Sequence, residues 1–303
     1  MTDRLMLLDT ASLYFRAFYG VPDKVTAPDG TSVNAARGLL DMIAKLVGTY
    51  APTHLVACWD DDWRPAWRVD LLPSYKAHRV VEPSTTGPDV EEVPDPLAAQ
   101  LPVIRAALEV LGIPIVGAPA HEADDVIGTL ATRAAIPVDI VTGDRDLFQL
   151  VDDERGVRVI YTARGMSNLE IVNDAAVVAK YGVHAAQYAD FAVLRGDPSD
   201  GLPGVAGIGE KSAATLLAAG GSLDGIRDAV AEGTLGTPSQ RSKILAAADY
   251  LDIAPTVVRV VRDLDLDAVD DRLTPVDRDA AVALAEAWNL GSSMTRALEA
   301  LPL

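Results

Sequence analysis

The feature that most constrains this chain is a set of short apolar runs that close on polar residues, three of them on an aspartate. They span residues 5–9, 54–60, 113–117 and 138–144, and the aspartates are Asp9, Asp60 and Asp144. Helix-like segments with amphipathic spacing lie between them, notably 35–50 and 97–111. Alternation of this kind predicts an α/β fold with a parallel, Rossmann-like sheet. In such a sheet the ligand crevice opens outside the carboxyl ends of the strands. Three acids at equivalent strand ends therefore converge on one place in the fold.

A length of 303 residues with 49% apolar content is enough for one large domain or two modest ones, each with a real core. No apolar stretch approaches the roughly 20 residues needed to span a bilayer. The N-terminal run is too short for a signal peptide and reads as a first strand. A single cysteine, Cys58, excludes an internal disulfide and any multi-cysteine zinc site. A cytoplasmic, nucleoid-associated protein is expected. The net charge of −18 argues against a simple basic footprint for nucleic acid, so the placement of the acids matters more than their number.

Residues 81–96 are rich in Pro, Glu, Asp, Ser and Thr and read as a mobile loop. Beyond about Asn173 the strand signal fades. Residues 173–181, 185–194, 210–219 and 280–288 look helical, and 257–261 is β-branched enough for a peripheral strand. This places a nuclease-like α/β core at 1–172 and a helical subdomain at 173–303.

Acids cluster in Asp9, Asp60, the Glu-Ala-Asp-Asp of 122–125, the Thr-Gly-Asp-Arg-Asp of 142–146 and the Gly-Asp-Pro-Ser-Asp of 196–200. Crowded carboxylates repel, and each desolvated one costs several kcal/mol, so the cluster implies cations. Hard ions such as Mg²⁺ or Mn²⁺ suit an all-oxygen set. Two of them, roughly 4 Å apart, can clamp the attacking and leaving oxygens of a phosphodiester. The candidate ligands are Asp9, Asp60, Glu122, Asp124, Asp125, Asp144, Asp146, Asp197 and Asp200, and they carry charge equal to half of the net −18. Most of the remaining acidic excess lies at 82–95 and 263–279.

Residues 201–213, Gly-Leu-Pro-Gly-Val-Ala-Gly-Ile-Gly-Glu-Lys-Ser-Ala, approach a nucleotide-binding P-loop. A P-loop needs lysine directly after its second glycine and a strand before it; Glu210 intervenes here and no strand precedes. The better reading is a helix–hairpin–helix, at about 190–220, in which Gly204, Gly207 and Gly209 let backbone approach a phosphate. The first N–H groups of the next helix, with Lys211 and Ser212, then hold the anion. Such contacts grip a duplex without reading its sequence.

Basic residues follow the acidic strand ends: Arg16, Arg64, Arg68, and Lys76 with Arg79. Three apart, Lys76 and Arg79 share one face if helical. They are expected to neutralise the scissile phosphate, with Tyr75 able to stack on an unpaired base for about 1–3 kcal/mol.

These segments, in this order, resemble the 5′-nuclease family, which comprises the exonuclease domain of bacterial DNA polymerase I and the flap endonucleases. The match runs from Leu5 to about Leu217, and the chain is similar to a free-standing bacterial member. The resemblance implies a PIN-like core, a helical arch at about 61–100 and a helix-three-turn-helix on the duplex. It implies a structure-selective 5′→3′ exonuclease and 5′-flap endonuclease that uses two or more Mg²⁺ or Mn²⁺ ions in DNA replication and repair. By position, Asp9, Asp60, Glu122, Asp124 and Asp125 match ligands of a first metal, and Asp144, Asp146, Asp197 and Asp200 complete a second. Lys76 and Arg79 match the arch pair, Arg16 a substrate-binding arginine, and the hairpin a K⁺-associated element. Lys76, Arg79, Asp125 and Asp146 are the residues expected to be catalytic. Branched or nicked double-stranded DNA with a 5′ end or flap is the expected partner, the chain acting as a monomer beside a DNA polymerase, away from membranes. This sequence departs from the family at Trp59-Asp-Asp-Asp62, where a Phe-Asp-Ala is usual, and in a longer, more acidic segment after Arg79. Two other readings stay open on the residues alone: a catalytically silent DNA-structure-binding protein, and a small-molecule phosphohydrolase or ribonuclease with a PIN-type site. All nine ligand positions hold ligands, which favours an enzyme; the hairpin and arch-like basic pair disfavour a small substrate.

Overall fold

The computed structural model describes residues 3–82, 89–91 and 93–301. Its strands are β1 (Leu5–Asp9), β2 (His54–Cys58), β3 (Val80–Glu82), β4 (Val90–Glu91), β5 (Ile115–Val116), β6 (Val138–Thr142), β7 (Val157–Tyr161) and β8 (Glu170–Val172). Six form one sheet in the order β5-β2-β1-β6-β7-β8. The first five run parallel, and β8 returns antiparallel along β7. Every residue of β1 and β6 is buried, as expected of parallel strands covered on both faces. Pleating divides them: Leu5 and Leu7 join Val56, Cys58, Val138 and Ile140 in one core, while Met6 and Leu8 join Leu55, Ala57, Val141 and Ile160 in the other.

The second core is covered by α1 (Thr10–Gly20), α2 (Asn34–Tyr50) and α5 (Leu101–Val110). A two-turn helix, α3 (Ala66–Leu71), and a single turn, α4 (Asp95–Ala98), lie in the connection between β2 and α5. The first core takes α6 (Ala123–Arg133) and then most of the helical half. That half comprises α7 (Asp174–Tyr181), α8 (Tyr188–Arg195), α9 (Glu210–Gly220), α10 (Leu223–Ala231), α11 (Pro238–Ala246) and α12 (Ala248–Val258). The last two helices, α13 (Arg278–Ala287) and α14 (Gly291–Ala300), cross to the opposite face, where Met294, Ala297 and Leu298 pack in the α2 core. Among the described residues no helix is long and apolar enough to cross a membrane.

Strand order reverses at β1. The chain passes from β1 to β2 on one side through α1 and α2, and reaches β6 on the other side through α6. Such a switch point opens a crevice at the carboxyl ends of β1 and β6, where Asp9 and Asp144 stand.

The expected strands and helices are present, with four differences. Residues 257–261 do not add a strand: Val257 and Val258 close α12, and the backbone beyond is tied by side chains, Val260 N–H donating to Gln149 and Val261 N–H to Asp125. Residues 157–161 and 170–172 are strands that no expectation covered. The 81–96 stretch, expected as a loop, carries the antiparallel β3–β4 hairpin, and residues 83–88 and 92 lie outside the described residues. In the expected helical arch, Lys76 and Arg79 do not share a helix face. Lys76 adopts a left-handed conformation (φ 48°) and only a 3₁₀ turn, Ala77–Arg79, follows.

Candidate active site

Asp9 is both the last residue of β1 and the N-cap of α1, and its Oδ1 accepts from Ser12 N–H at 3.1 Å. Its other oxygen accepts from the Thr142 hydroxyl at 2.6 Å, and that hydroxyl accepts from Asp144 N–H at 2.8 Å. One threonine thus ties the two strand ends at the switch point. Asp144 Oδ1 in turn accepts from Asp146 N–H at 2.9 Å, setting the start of the next turn. On the far side, Asp60 follows β2 and accepts from Ala123 N–H at 2.7 Å, at the N-terminus of α6. That helix start, favourable to negative charge, presents Glu122 and Asp124.

These groups border a cleft of about 380 Å³, lined by Asp9, Asp60, Glu122, Asp124, Asp144 and, as cations, Lys76, Arg79 and Arg145. Burial lifts the Asp9 carboxyl from 3.8 to about 7, with Asp60 and Asp144 adding to the rise against the Thr142 and Ser12 bonds. Burial, then the charges of Asp9, Asp144 and Glu122, pushes Asp124 well above the carboxylate range. Asp146 is pushed up likewise by burial and then by Asp144, Asp200 and Asp197. Asp144 is raised by burial and Asp200, and Asp60 and Glu122 chiefly by burial. Asp197 goes the other way: burial acts to raise it, but the Ser199 hydroxyl and N–H, Arg195 and Arg145 together hold it below the usual value. Desolvation acts to discharge the Lys76 ammonium, yet Glu122 and its neighbours outweigh that and keep it protonated.

Each cleft cation rests on one acid. Lys76 Nζ donates to Glu122 Oε1 at 2.6 Å, Arg79 Nη2 lies 3.3 Å from Asp200 Oδ1, and Arg145 Nη2 lies 3.3 Å from Asp197 Oδ2. The Gly-Asp-Pro-Ser-Asp turn docks onto the Lys76 segment: Lys76 N–H donates to the Asp200 carbonyl at 3.0 Å and Arg79 to the Ser199 carbonyl at 2.8 Å. Gly201, at φ 70°, permits this, because a Cβ there would meet the Ser74 carbonyl oxygen at 1.9 Å.

Four expected site residues serve elsewhere. Asp125 is fully buried; like Asp146, Asp197 and Asp200 it stands behind the acids that line the cleft, and unlike Asp146 it has both oxygens paired. Its two oxygens accept from Arg68 Nη1 (2.8 Å), Arg68 Nη2 (2.7 Å), Val261 N–H (2.8 Å) and Glu122 N–H (3.4 Å), which occupies its lone pairs. Arg68, only 1% exposed, stacks on Trp67 at 4.4 Å and also donates to Glu122 and the Val257 carbonyl, so it cannot meet substrate. Tyr75 is buried in the core with its hydroxyl donating to Glu122 at 2.8 Å, which precludes base stacking. Arg64 is buried too, holding the Tyr75 and Pro73 carbonyls and an ion pair with Asp89. Arg16 is half-buried beside Gly143 and reaches the Ala163 carbonyl at 3.5 Å.

In the hairpin, Val205 and Ile208 are buried while Ala206, Gly207, Gly209, Glu210 and Lys211 are exposed. Gly204 (φ 67°) and Gly207 (φ 76°) take left-handed turns, Gly209 precedes α9 with no side-chain cap on its first N–H groups, and Ser212 in that first turn is half-buried. Ser12, Trp63, Glu91, Arg145 and Ser199 also line the cleft, with Thr142 behind them on Asp9, and were not anticipated. Of these Arg145 was the most legible, lying between Asp144 and Asp146.

Residues 4–182 match the model for the N-terminal resolvase-like domain of 5′-3′ exonuclease, and 183–280 that for its C-terminal SAM fold. A 5′-3′ exonuclease of Streptomyces coelicolor is 60% identical over 299 residues, covering 98% of this chain and 99% of that protein. One of Mycobacterium tuberculosis is 50% identical over 317 residues, covering the whole of both. DNA polymerase I of Mycobacterium bovis is 41% identical over 283 residues, 91% of this chain but 29% of the polymerase. Among solved structures, the T5 D15 protein co-crystallised with metal ions has a TM-score of 0.65 at 18% identity, covering 98% of this chain and 99% of that one. Human GEN1 in complex with Holliday junction DNA has a TM-score of 0.64 at 15% identity, covering 98% of this chain and 72% of that one. At such identities the likeness is one of fold, a PIN-like resolvase domain followed by a SAM-like helical one. With both domains matched in order and relatives alike from end to end, this chain belongs to the 5′-3′ exonuclease family.

Proposed function

We propose that this chain is a divalent-metal-dependent, structure-selective 5′→3′ exonuclease and 5′-flap endonuclease that trims DNA ends in replication and repair. The observation that carries this reading is the acid-lined cleft at the switch point, edged by three cations. Its proposed division is a nuclease core at 1–172 and a helical, duplex-holding part from 173 onward, with the hairpin exposed for phosphate.

The residues suit hard cations. Asp9, Asp60, Asp124 and Asp144 are raised together by burial and mutual repulsion, and Asp146 Oδ1 is buried without a hydrogen-bond partner among the described residues. Among the described residues no three acids close a cage round a bare ion. Mg²⁺ or Mn²⁺ sharing a water shell with the phosphate fits that spread. The proposed holders are Asp9, Asp60, Glu122, Asp124, Asp144, Asp146, Asp197 and Asp200, without Asp125. Bound ions would lower the pKa of the attacking water and offset phosphate charge. The chain itself contributes orientation: Thr142 fixes Asp9 against Asp144, while Lys76 and Arg79 meet the phosphate oxygens. The Gly204–Gly209 turns and the start of α9 hold backbone phosphates of the duplex. The hairpin is also the proposed place for K⁺, which would need carbonyls other than that of Gly207, since Lys243 Nζ already donates to it at 3.1 Å. A monomer working beside a DNA polymerase on branched or nicked DNA completes the proposal.

The test is cleavage of matched 5′-flap, nicked and blunt duplexes with Mg²⁺ or Mn²⁺. Products shortened from the 5′ end or released at the flap junction are expected, and Asp146→Asn should abolish them. Metal-independent cleavage, or full activity in Asp146→Asn, would overturn the assignment.

A further inference from the structure

Three cations edge the cleft, and two of them, Lys76 and Arg79, already have a phosphate role in the reading above. The third sits between Asp144 and Asp146, at the head of the 3₁₀ turn Asp146–Leu150. Its side chain is 36% exposed, matching the 35% of Arg79. Its hold on Asp197 is the loosest of that carboxylate's contacts. Arg145 stands 3.3 Å away, against 3.0 Å for Arg195 and 3.0 Å for Ser199 N–H, with the Ser199 hydroxyl closer still. Arg195 is 8% exposed and so belongs to the structure, keeping Asp197 neutralised when Arg145 turns away. A guanidinium that is exposed, loosely held and dispensable to its partner can exchange a carboxylate for a phosphate, whose oxygens match its planar fork.

We propose that Arg145 is a third substrate-contacting cation, binding a DNA backbone phosphate at the edge of the cleft. This rests on the nuclease reading and extends it. The phosphate it takes is a neighbour of the scissile one, because the arginine projects from the same turn as Asp144 and Asp146.

The test compares the unaltered chain with R145Q and R145K in binding a 5′-flap duplex in Ca²⁺ across a KCl series, with Tb³⁺ luminescence reporting the metal site. R145Q should bind about tenfold more weakly. Its plot of log affinity against log salt should be shallower by about 1, one phosphate contact fewer, and R145K should keep the slope. Tb³⁺ affinity should not fall, since the charge removed is a cation beside Asp197. Unaltered DNA affinity and slope in R145Q would overturn the proposal. So would loss of Tb³⁺ binding at an unaltered slope, which would confine Arg145 to holding Asp197. If the unaltered chain itself fails to bind the flap duplex, the nuclease reading falls and this one with it.

Discussion

Arg68 and Asp125 form a bidentate ion pair at 2.8 and 2.7 Å in the fully buried space between α3 and α6. The pair joins three remote segments, because Asp125 also accepts from Val261 N–H and Arg68 donates to the Val257 carbonyl. Removing one partner leaves the other charged in a dry interior. Arg68→Ala should therefore destabilise the chain by about 3–5 kcal/mol in urea unfolding, with any activity loss tracking the unfolded fraction. A stable, inactive Arg68→Ala would instead place the residue at the substrate.

Asp125 and Asp146 both look like ligands in the sequence, and the structure separates them. Asp125→Asn weakens a saturated ion-pair network, so its first effect is on stability. Asp146→Asn removes a buried charge facing Asp144, Asp200 and Asp197, whose repulsion raises its pKa after burial itself. Melting in chelator should show Asp146→Asn above the parent by on the order of 2 °C, and Asp125→Asn below it. Both below the parent would contradict the division.

Much of this was legible. The apolar runs closing on Asp9, Asp60 and Asp144 encode both a parallel sheet and the place where its acids meet, since strand polarity sends every carboxyl end to one edge. Arg64, Arg68 and Tyr75 misled because proximity in sequence to acids says nothing about burial. Arg68 enters the core by stacking on Trp67 and reaching residues 54 and 57 positions away, contacts that no local pattern announces. By contrast, the strand at 157–161, Val-Arg-Val-Ile-Tyr, carries β-branched residues in quantity and was readable. Arg145 was in plain view too, inside the motif that supplied its two neighbours.

Acidity should stabilise the chelated protein. The Asp9 carboxyl stands at about 7 in the folded state against 3.8 ordinarily, chiefly through burial. A folded pKa raised above the unfolded one gives a contribution fully present below about 3.8 and lost as pH rises through about 7. Asp124, Asp144 and Asp146 are shifted in the same direction, also first by burial. Melting temperature in chelator should fall between pH 5 and 8, and millimolar Mg²⁺ should flatten the fall by favouring the ionised carboxylates. A melting temperature that rises over that window in chelator would refute the reading.

Gly201→Ala should be disproportionately harmful. The added Cβ has φ 70° to contend with and the Ser74 carbonyl oxygen at 1.9 Å, both fixed in backbone. A loss of more than about 1 kcal/mol is expected, with cleavage falling further than stability because Lys76 moves. Equal losses in both would show that the contact only holds the fold.

That glycine also sets the mechanical tolerance of the whole machine. Because backbone meets backbone at that glycine, the segment carrying Lys76 and the turn carrying Asp200 touch there with no side chain between them. A duplex pulling on the helical half would be felt at the cleft as displacement rather than absorbed as compression. On the proposed division, with the duplex held by the helical half, seating of the DNA and alignment of the chemistry would become one event, and a substrate that seats badly would be held out of register.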